Sequence, residues 1–312
     1  MSMFAVRPPA SPSCTGDLHL VRAAGSGFAG PAAFLADPAN RTRVGEYLTD
    51  MARPYGLEVR GGELAESPGQ SYGEMAAALI GQVTCADEPV DLLVLAFSIH
   101  DLWPGRQAAA YLSHLTPGAP MAFAICDQGS AAAFSGLRII REYASSAAIR
   151  RALLIVVEQA ALPYDSPVAL PARNQGVAML FSAAPDGGAA PDGGAAPDGG
   201  AAPLARVGGL RQHPGVPCDA VADLAAADLA GLASGHDEVG VVAGASLAGL
   251  WTAPAATRIR LMPPGQPFTA VWRGCADELT SRENRPDLVV VADYDPGLRY
   301  LCLAAMNPHA AR

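Results

Sequence analysis

"AFAICDQGSAAAFSGLRII", residues 122–140, is the stretch on which the fold turns. Ala122 to Cys126 is short and apolar, the composition of a strand buried on both faces. Asp127-Gln128-Gly129-Ser130 crowds turn-forming residues into four positions. Small residues follow, then an amphipathic run through Leu137, Ile139 and Ile140, as in a helix packed closely on its neighbours. A strand, a sharp turn and a buried helix bring free N–H groups and positive potential to the turn, a setting that suits a nucleophile. Cys126 and Ser130 are the nucleophilic side chains there.

Outward from this unit the pattern alternates. "SYGEMAAALIGQV" predicts a helix, "VDLLVLAFS" (Val90 to Ser98) a buried strand, and "GRQAAAYLSHL" a helix. After the central unit, "RALLIVVEQ" and "GVAMLFS" read as strands. "CDAVADLAAADLAGLAS" reads as a helix, "EVGVVAG" as a strand, "SLAGLWTA" as the start of a helix, and "LVVVADY" and "YLCLAAM" as the last strands. Such alternation predicts an α/β fold with a mainly parallel sheet covered on both faces. Between the two series lies "APDGGAAPDGGAAPDGGAAP", residues 184–203, in which the unit PDGGAA recurs. Proline, aspartate and paired glycines disfavour helix and strand, so it reads as a flexible linker. The expected organisation is an N-terminal half, 1–183, the linker, 184–203, and a related C-terminal half, 204–312.

Composition narrows the chemistry. The chain has 312 residues, a formal net charge of −9 and no lysine. A lysine Schiff base, a Walker-A lysine and a Ser-Lys dyad are excluded. No basic run marks a nucleic-acid partner. The six cysteines (Cys14, Cys85, Cys126, Cys218, Cys275, Cys302) form no C-x-x-C pair, and the six histidines no H-E-x-x-H. Free thiols are expected, with no metal and no cofactor. The N-terminus lacks a signal-peptide pattern, and no uncharged apolar stretch is long enough to span a bilayer, so a soluble cytoplasmic protein is expected.

Four segments carry a resemblance. They are "VDLLVLAFSIHDLWPGRQAAAYLSHL", "AFAICDQGSAAAFSGLRII", "AAIRRALLIVVEQ" and "LVVVADYDPGLRYLCLAAM". Their order and spacing, from about Ser71 to the C-terminus, resemble the thiolase-like fold and, within it, β-ketoacyl-ACP synthase III. The resemblance implies a layered αβαβα architecture of two related halves. It also implies a homodimer, or a heterodimer with a related synthase, and acyl thioesters of CoA or an acyl carrier protein as substrates. The family uses a cysteine at a buried helix head, a histidine and an asparagine from the second half, and backbone N–H groups that hold an oxyanion.

The sequence departs from that pattern at each side chain. The cysteine position falls on Ser130, or on Gly129 if the turn shifts by one residue. The histidine position falls on Ala243 or Gly244. "PPGQPFTAVWRGCADEL" holds no asparagine, and the glycine turn reads "DYDPG", with Gly297 remaining. Tyr294 and Asp295 would add bulk and negative charge beside an oxyanion.

The candidates follow. Ser130 is an acylated nucleophile or a helix N-cap. Cys126 is a displaced thiolate or an inert strand-end thiol. His100, directly after a buried strand, is the histidine best placed for a pocket, while His213 and His236 read as solvated loop residues. Asp127, Gln128, Gly129 and Gly297 are candidates for substrate or oxyanion contacts, with Asp127 and Gln128 also suited to capping. Trp103 and Pro104 shape a loop or a dimer contact. "GASLAG", residues 244–249, resembles a nucleophile elbow, but only His309 lies beyond Ser246 to complete a hydrolase. An acyltransferase using Ser130 or Cys126 and a non-catalytic partner subunit of a condensing enzyme remain as readings.

Overall fold

The computed structural model describes residues 17–59, 69–103, 107–146, 148–162, 164–165, 169–183, 203–252, 254, 257–281 and 285–309. The linker up to residue 202, Cys14 and Pro104 lie outside them. In chain order the elements are β1 (Leu18–Phe28), α1 (Pro38–Ala52), α2 (Tyr72–Val83), β2 (Leu92–Ala96), α3 (Ala108–Leu115), β3 (Met121–Ile125), α4 (Ala131–Ser145), β4 (Arg151–Glu158) and β5 (Asn174–Ala183). The second series is β6 (Ala205–His213), α5 (Val221–Ala233), β7 (Val239–Ala243), β8 (Thr257–Leu261), α6 (Ala270–Thr280), β9 (Leu288–Asp295) and β10 (Tyr300–Pro308).

The strands form one sheet in the order β3-β2-β4-β5-β1-β6-β10-β9-β7-β8. Read outward from the β1–β6 seam, both directions give the same sequence of places: first, fifth, fourth, second and third strand of its own series. The pairing directions repeat as well. β1–β5, β4–β5, β6–β10 and β9–β10 are antiparallel, and β2–β4, β2–β3, β7–β9 and β7–β8 are parallel. The sheet is therefore mixed, which corrects the mainly parallel sheet expected above. Helices cover both faces, so the antiparallel strands are buried as thoroughly as the parallel ones, and continuous apolar runs do not report direction. The link from β9 to β10 is only Pro296 to Arg299, far too short for a parallel crossover.

Three apolar clusters stack as layers. One joins α2 to the outer side of β2, β4 and β5, and another joins α5 to β7, β9 and β10. The largest lies between the two halves and contains α4 and α6. Both helices are buried over most of their girth, which is why their sequences mix alanine, glycine and serine with a few large side chains. Phe134 of α4 meets Trp272 of α6 with ring centroids 4.7 Å apart. The result is the five-layer αβαβα arrangement of two related halves.

Local chemistry explains the ends. Ser71 and Glu74 form a capping box at α2, with Ser71 Oγ accepting the Glu74 N–H at 3.2 Å and the Glu74 carboxylate accepting the Ser71 N–H at 3.2 Å. Asp37 caps α1 by accepting the Ala39 N–H at 2.9 Å. The expected helix from Ser246 does not form. Ala245–Leu247 is a single 3₁₀ turn, followed by the edge strand β8.

Candidate functional site

Five residues carry the chain from β3 into α4, and two of them are left-handed. Asp127 has φ 59° and Gly129 has φ 50°. Glycine tolerates this conformation and aspartate adopts it at a cost, so the turn is tight and locally strained. It delivers Ser130 to the head of α4, buried in the central layer. Ser130 is not a side-chain N-cap, for its hydroxyl makes no capping hydrogen bond. It lines one cavity with Asp293, on β9.

Asp293 is almost fully buried. Its carboxyl accepts the Tyr294 N–H at 2.9 Å and the Ser246 hydroxyl at 3.2 Å. Burial pushes its pKa from the ordinary carboxylate range up to about 7, and the nearby Asp295 charge adds to the rise. Asp295, two residues on, accepts the Ser130 N–H at 3.2 Å and the Leu298 N–H at 2.9 Å.

Two glycines show what this arrangement replaces. A Cβ on Gly129 would fall within the Asp295 carboxylate, 2.8 Å from its Cγ. A Cβ on Gly244 would fall against the Asp293 carboxylate, 2.7 Å from its Cγ. Gly129 is the alternative to Ser130 for the cysteine position of the resemblance, and Gly244 the alternative to Ala243 for its histidine position. Beside each glycine an aspartate of β9 fills the space a side chain would take. The segment before α6, where the resemblance would put its third residue, contains Gln266. This glutamine is saturated by structural contacts, donating to Glu158 and to the Arg173 carbonyl (3.1 Å) and accepting the Arg173 N–H (3.0 Å). Glu158 also accepts the Phe268 N–H at 3.0 Å at the start of α6, and burial pushes its pKa up to about 7.

A cavity of about 250 Å³ lies where these groups meet. Ser130, Gly244, Ser246, Gln266, Asp293 and Asp295 line it, together with four prolines, Phe268 and Val271. No histidine, cysteine or arginine is among the residues lining it. Its volume is below the usual range for small-molecule sites, about 300–1,000 Å³.

Of the residues singled out from sequence, Ser130 lines this cavity and Gly129 abuts Asp295. Cys126 does not line it. Its thiol is exposed, 3.5 Å from the Asp127 carboxylate, and desolvation and that charge both raise its pKa. Both effects disfavour the thiolate that attack requires. Cys126→Ala is expected to change stability by less than about 1 kcal/mol, as exposed substitutions usually do. It should leave any acyl adduct measured by intact mass unaltered. Gln128 accepts the Ser135 hydroxyl at 2.6 Å, and Gln212 donates to the same hydroxyl at 3.2 Å, so Gln128 braces α4 from its side instead of capping it. Asp127 makes no cap either. Gly297 sits exposed in the β9–β10 turn and does not line the cavity.

His100 also lies outside the cavity. Its Nε2 meets the Tyr164 hydroxyl, and its carbonyl accepts from Gln159 at 2.8 Å. Tyr72 donates to Ile99 O at 2.8 Å and to Asp101 through its backbone N–H at 2.9 Å, so this loop is a braced structural unit. Trp103 stacks on Phe34 with centroids 4.1 Å apart. The histidines read as solvated have partners: His213 pairs with Asp228 at 2.6 Å and His236 with Asn307 at 2.9 Å. The hydrolase triad does not assemble. Ser246 is bound to Asp293, whereas His309 is stacked on His19 near the sheet seam, 3.0 Å between ring nitrogens. Sequence reasoning missed Asp293 altogether. Its only signal is a charged residue inside the apolar run "LVVVADY".

No protein-family model matches the chain, and no curated protein matches it either. Solved structures do match. The tetronic acid condensing enzyme AbyA1 is 14% identical, with 93% of this chain and 99% of that one covered and a TM-score of 0.57. The acyltransferase ChlB3 is 17% identical, with 94% and 98% covered and a TM-score of 0.56. The ketosynthase from module 1 of the bacillaene synthase of Bacillus amyloliquefaciens FZB42 is 10% identical, with 96% and 78% covered and a TM-score of 0.57. The chain has the thiolase-like fold over almost its whole length, in agreement with the resemblance stated above. Among the described residues, no helix is long and apolar enough to cross a membrane and no cluster of three metal-ligating side chains occurs.

Proposed function

We propose that the chain is a non-catalytic subunit of a condensing enzyme, one that keeps the thiolase-like fold to pair with an active synthase acting on acyl thioesters of CoA or of an acyl carrier protein. The observation that carries this reading is the place of Asp295. Its carboxylate takes the Ser130 N–H and fills the volume beside Gly129. Acyl transfer there would develop a negative charge at the point where a fixed negative charge already stands, which is the reverse of oxyanion stabilisation. The lack of a histidine among the residues lining the cavity and the cavity's small volume support the same reading.

The edge strand β3 suits a pairing role. "MAFAI" carries no charge, has β2 as its one partner, and leaves Met121 about half exposed. Unprotected apolar edges of this kind pair with another strand. The partner fits as a second thiolase-like chain presenting its own edge, in a heterodimer with a related synthase or in a homodimer.

The reading is tested by co-expression with ketosynthases of the same genome. A stoichiometric complex is expected whose turnover of acyl-CoA is lost when Met121→Glu and Ala124→Glu are combined. The chain alone is expected to show no turnover and no acyl adduct by intact mass. Turnover by the isolated chain would sink the proposal. A second reading, acyl transfer through Ser130, is favoured by one observation, that Ser130 shares its cavity with the buried carboxyl of Asp293.

A further inference from the structure

The polar groups around the cavity contain more than a vacant site requires. A silent site needs only lost side chains, yet Ser130, Asp293 and Ser246 line one cavity, a hydroxyl at a helix head, a carboxyl, and a second hydroxyl that donates to that carboxyl at 3.2 Å. These are the residue types of a nucleophile, a base and an orienting group. The Tyr294 N–H adds a second fixed contact to the carboxyl, at 2.9 Å. Asp295 sets a negative charge against the Ser130 N–H. It ends β9, and the turn that follows, Pro296 to Arg299, is exposed.

We propose that Asp295 is an internal plug over a latent acyl-accepting serine, Ser130, with Asp293 as its base. The inference rests on the reading that the site as it stands is silent. The plug is held by the Ser130 N–H and by its own turn, through the Leu298 N–H. Turning the Asp295 side chain away frees the Ser130 N–H to stabilise an oxyanion, and it opens the space beside Gly129 to a carbonyl group. The ligand class is therefore an acyl thioester. In the step, Ser130 Oγ attacks the carbonyl carbon and a C–O bond forms. The hydroxyl proton passes to Asp293, the C–S bond breaks, and the departing thiolate takes the proton from Asp293. The products are a serine ester and a free thiol, with no oxidant or metal required. A partner that draws the exposed turn outward would switch the site on.

The test uses Asp295→Ser, which can still accept the Leu298 N–H but is too short to reach Ser130. Asp295→Asn, which keeps the size and removes the charge, is a second arm. Each is incubated with acetyl-CoA and with octanoyl-CoA at pH 7.5, and intact mass is recorded after circular dichroism confirms folding. We expect an acyl adduct on both variants that is absent when Ser130→Ala is added. It should form about a hundredfold more slowly when Asp293→Asn is added, the range for losing a general base. An adduct on neither folded variant overturns the plug and leaves the silent-subunit reading intact. An adduct that survives Ser130→Ala overturns the assignment of the serine. An adduct on the unaltered chain that requires Ser130 overturns both the plug and the silent-subunit reading.

Discussion

Gly129→Cys, which writes a thiol into one of the two positions the resemblance offers for the family's cysteine, is expected to destabilise the protein by about 2–4 kcal/mol and to produce no condensing enzyme. Two costs combine. Gly129 is left-handed, at φ 50°, where a residue with a Cβ loses about 1 kcal/mol. The new Cβ also falls within the Asp295 carboxylate and 3.2 Å from Leu298 Cδ1, and overpacking of this kind costs about 1–3 kcal/mol. The carboxylate does not yield freely, because two backbone N–H groups hold it. Asp295→Ala in the same chain should therefore recover the packing cost and leave the backbone cost. Urea denaturation of the two single variants and the double variant closes the cycle, with a coupling of at least about 1 kcal/mol expected. Additive behaviour would show that the carboxylate does not occupy the position. Gly244→His should behave in the same way toward Asp293, whose Cγ would lie 2.7 Å from the new Cβ.

Asp293→Asn is expected to stabilise the protein at alkaline pH. Burial raises the pKa of Asp293 in the folded chain from 3.8 to about 7. Below pH 4 the group is neutral both folded and unfolded, so it makes no difference. Between pH 4 and pH 7 the unfolded chain gives up this proton and the folded chain retains it, so stability falls as pH rises. Above pH 7 the full penalty of a buried charge is present, about 4 kcal/mol at most for a shift of this size. Asparagine keeps an acceptor for the Tyr294 N–H and the Ser246 hydroxyl and never ionises. The variant should match the parent at pH 4 and exceed it by up to about 4 kcal/mol at pH 8 in urea denaturation. Equal stability at both pH values would refute a buried, proton-holding carboxyl. Glu158, also raised to about 7, keeps part of the fall with pH in place in the variant.

Some of the molecule was legible from local pattern because its causes are local. β2 and β4 are uninterrupted apolar runs, and α2 announces itself with the capping pair Ser71 and Glu74. Others were not. β1 reads "LHLVRAAGSGF", with too many small and polar residues for a strand signal, because it lies between two other strands at the seam and gains its burial from both halves. α1 buries only Val44, Leu48 and Ala52, so its periodicity is weak. α6 keeps a polar face in Arg273, Asp277 and Thr280, but it follows the breaker-rich "MPPGQP", which hides its start. "SLAGLW" has helix-forming composition, but Ser246 is drawn onto Asp293 and Tyr294 and the turn stops at Leu247.

The sequence by itself determined the alternation of buried strands and helices and the repeat of that series on either side of "PDGGAA", and through the resemblance it gave the expectation that the three side chains of a condensing site are missing. Each of these depends on residues within one element or on a count of what the chain contains. Only the tertiary structure decided what stands in their place. Ser130 and Asp295 are 165 residues apart, and Gly244 meets Asp293 across separate strands. No periodicity links such positions. They come together because two copies of one strand order close around α4 and α6. That closure sets the end of β9 against the head of α4, and two carboxylates take the volume that two glycines left open.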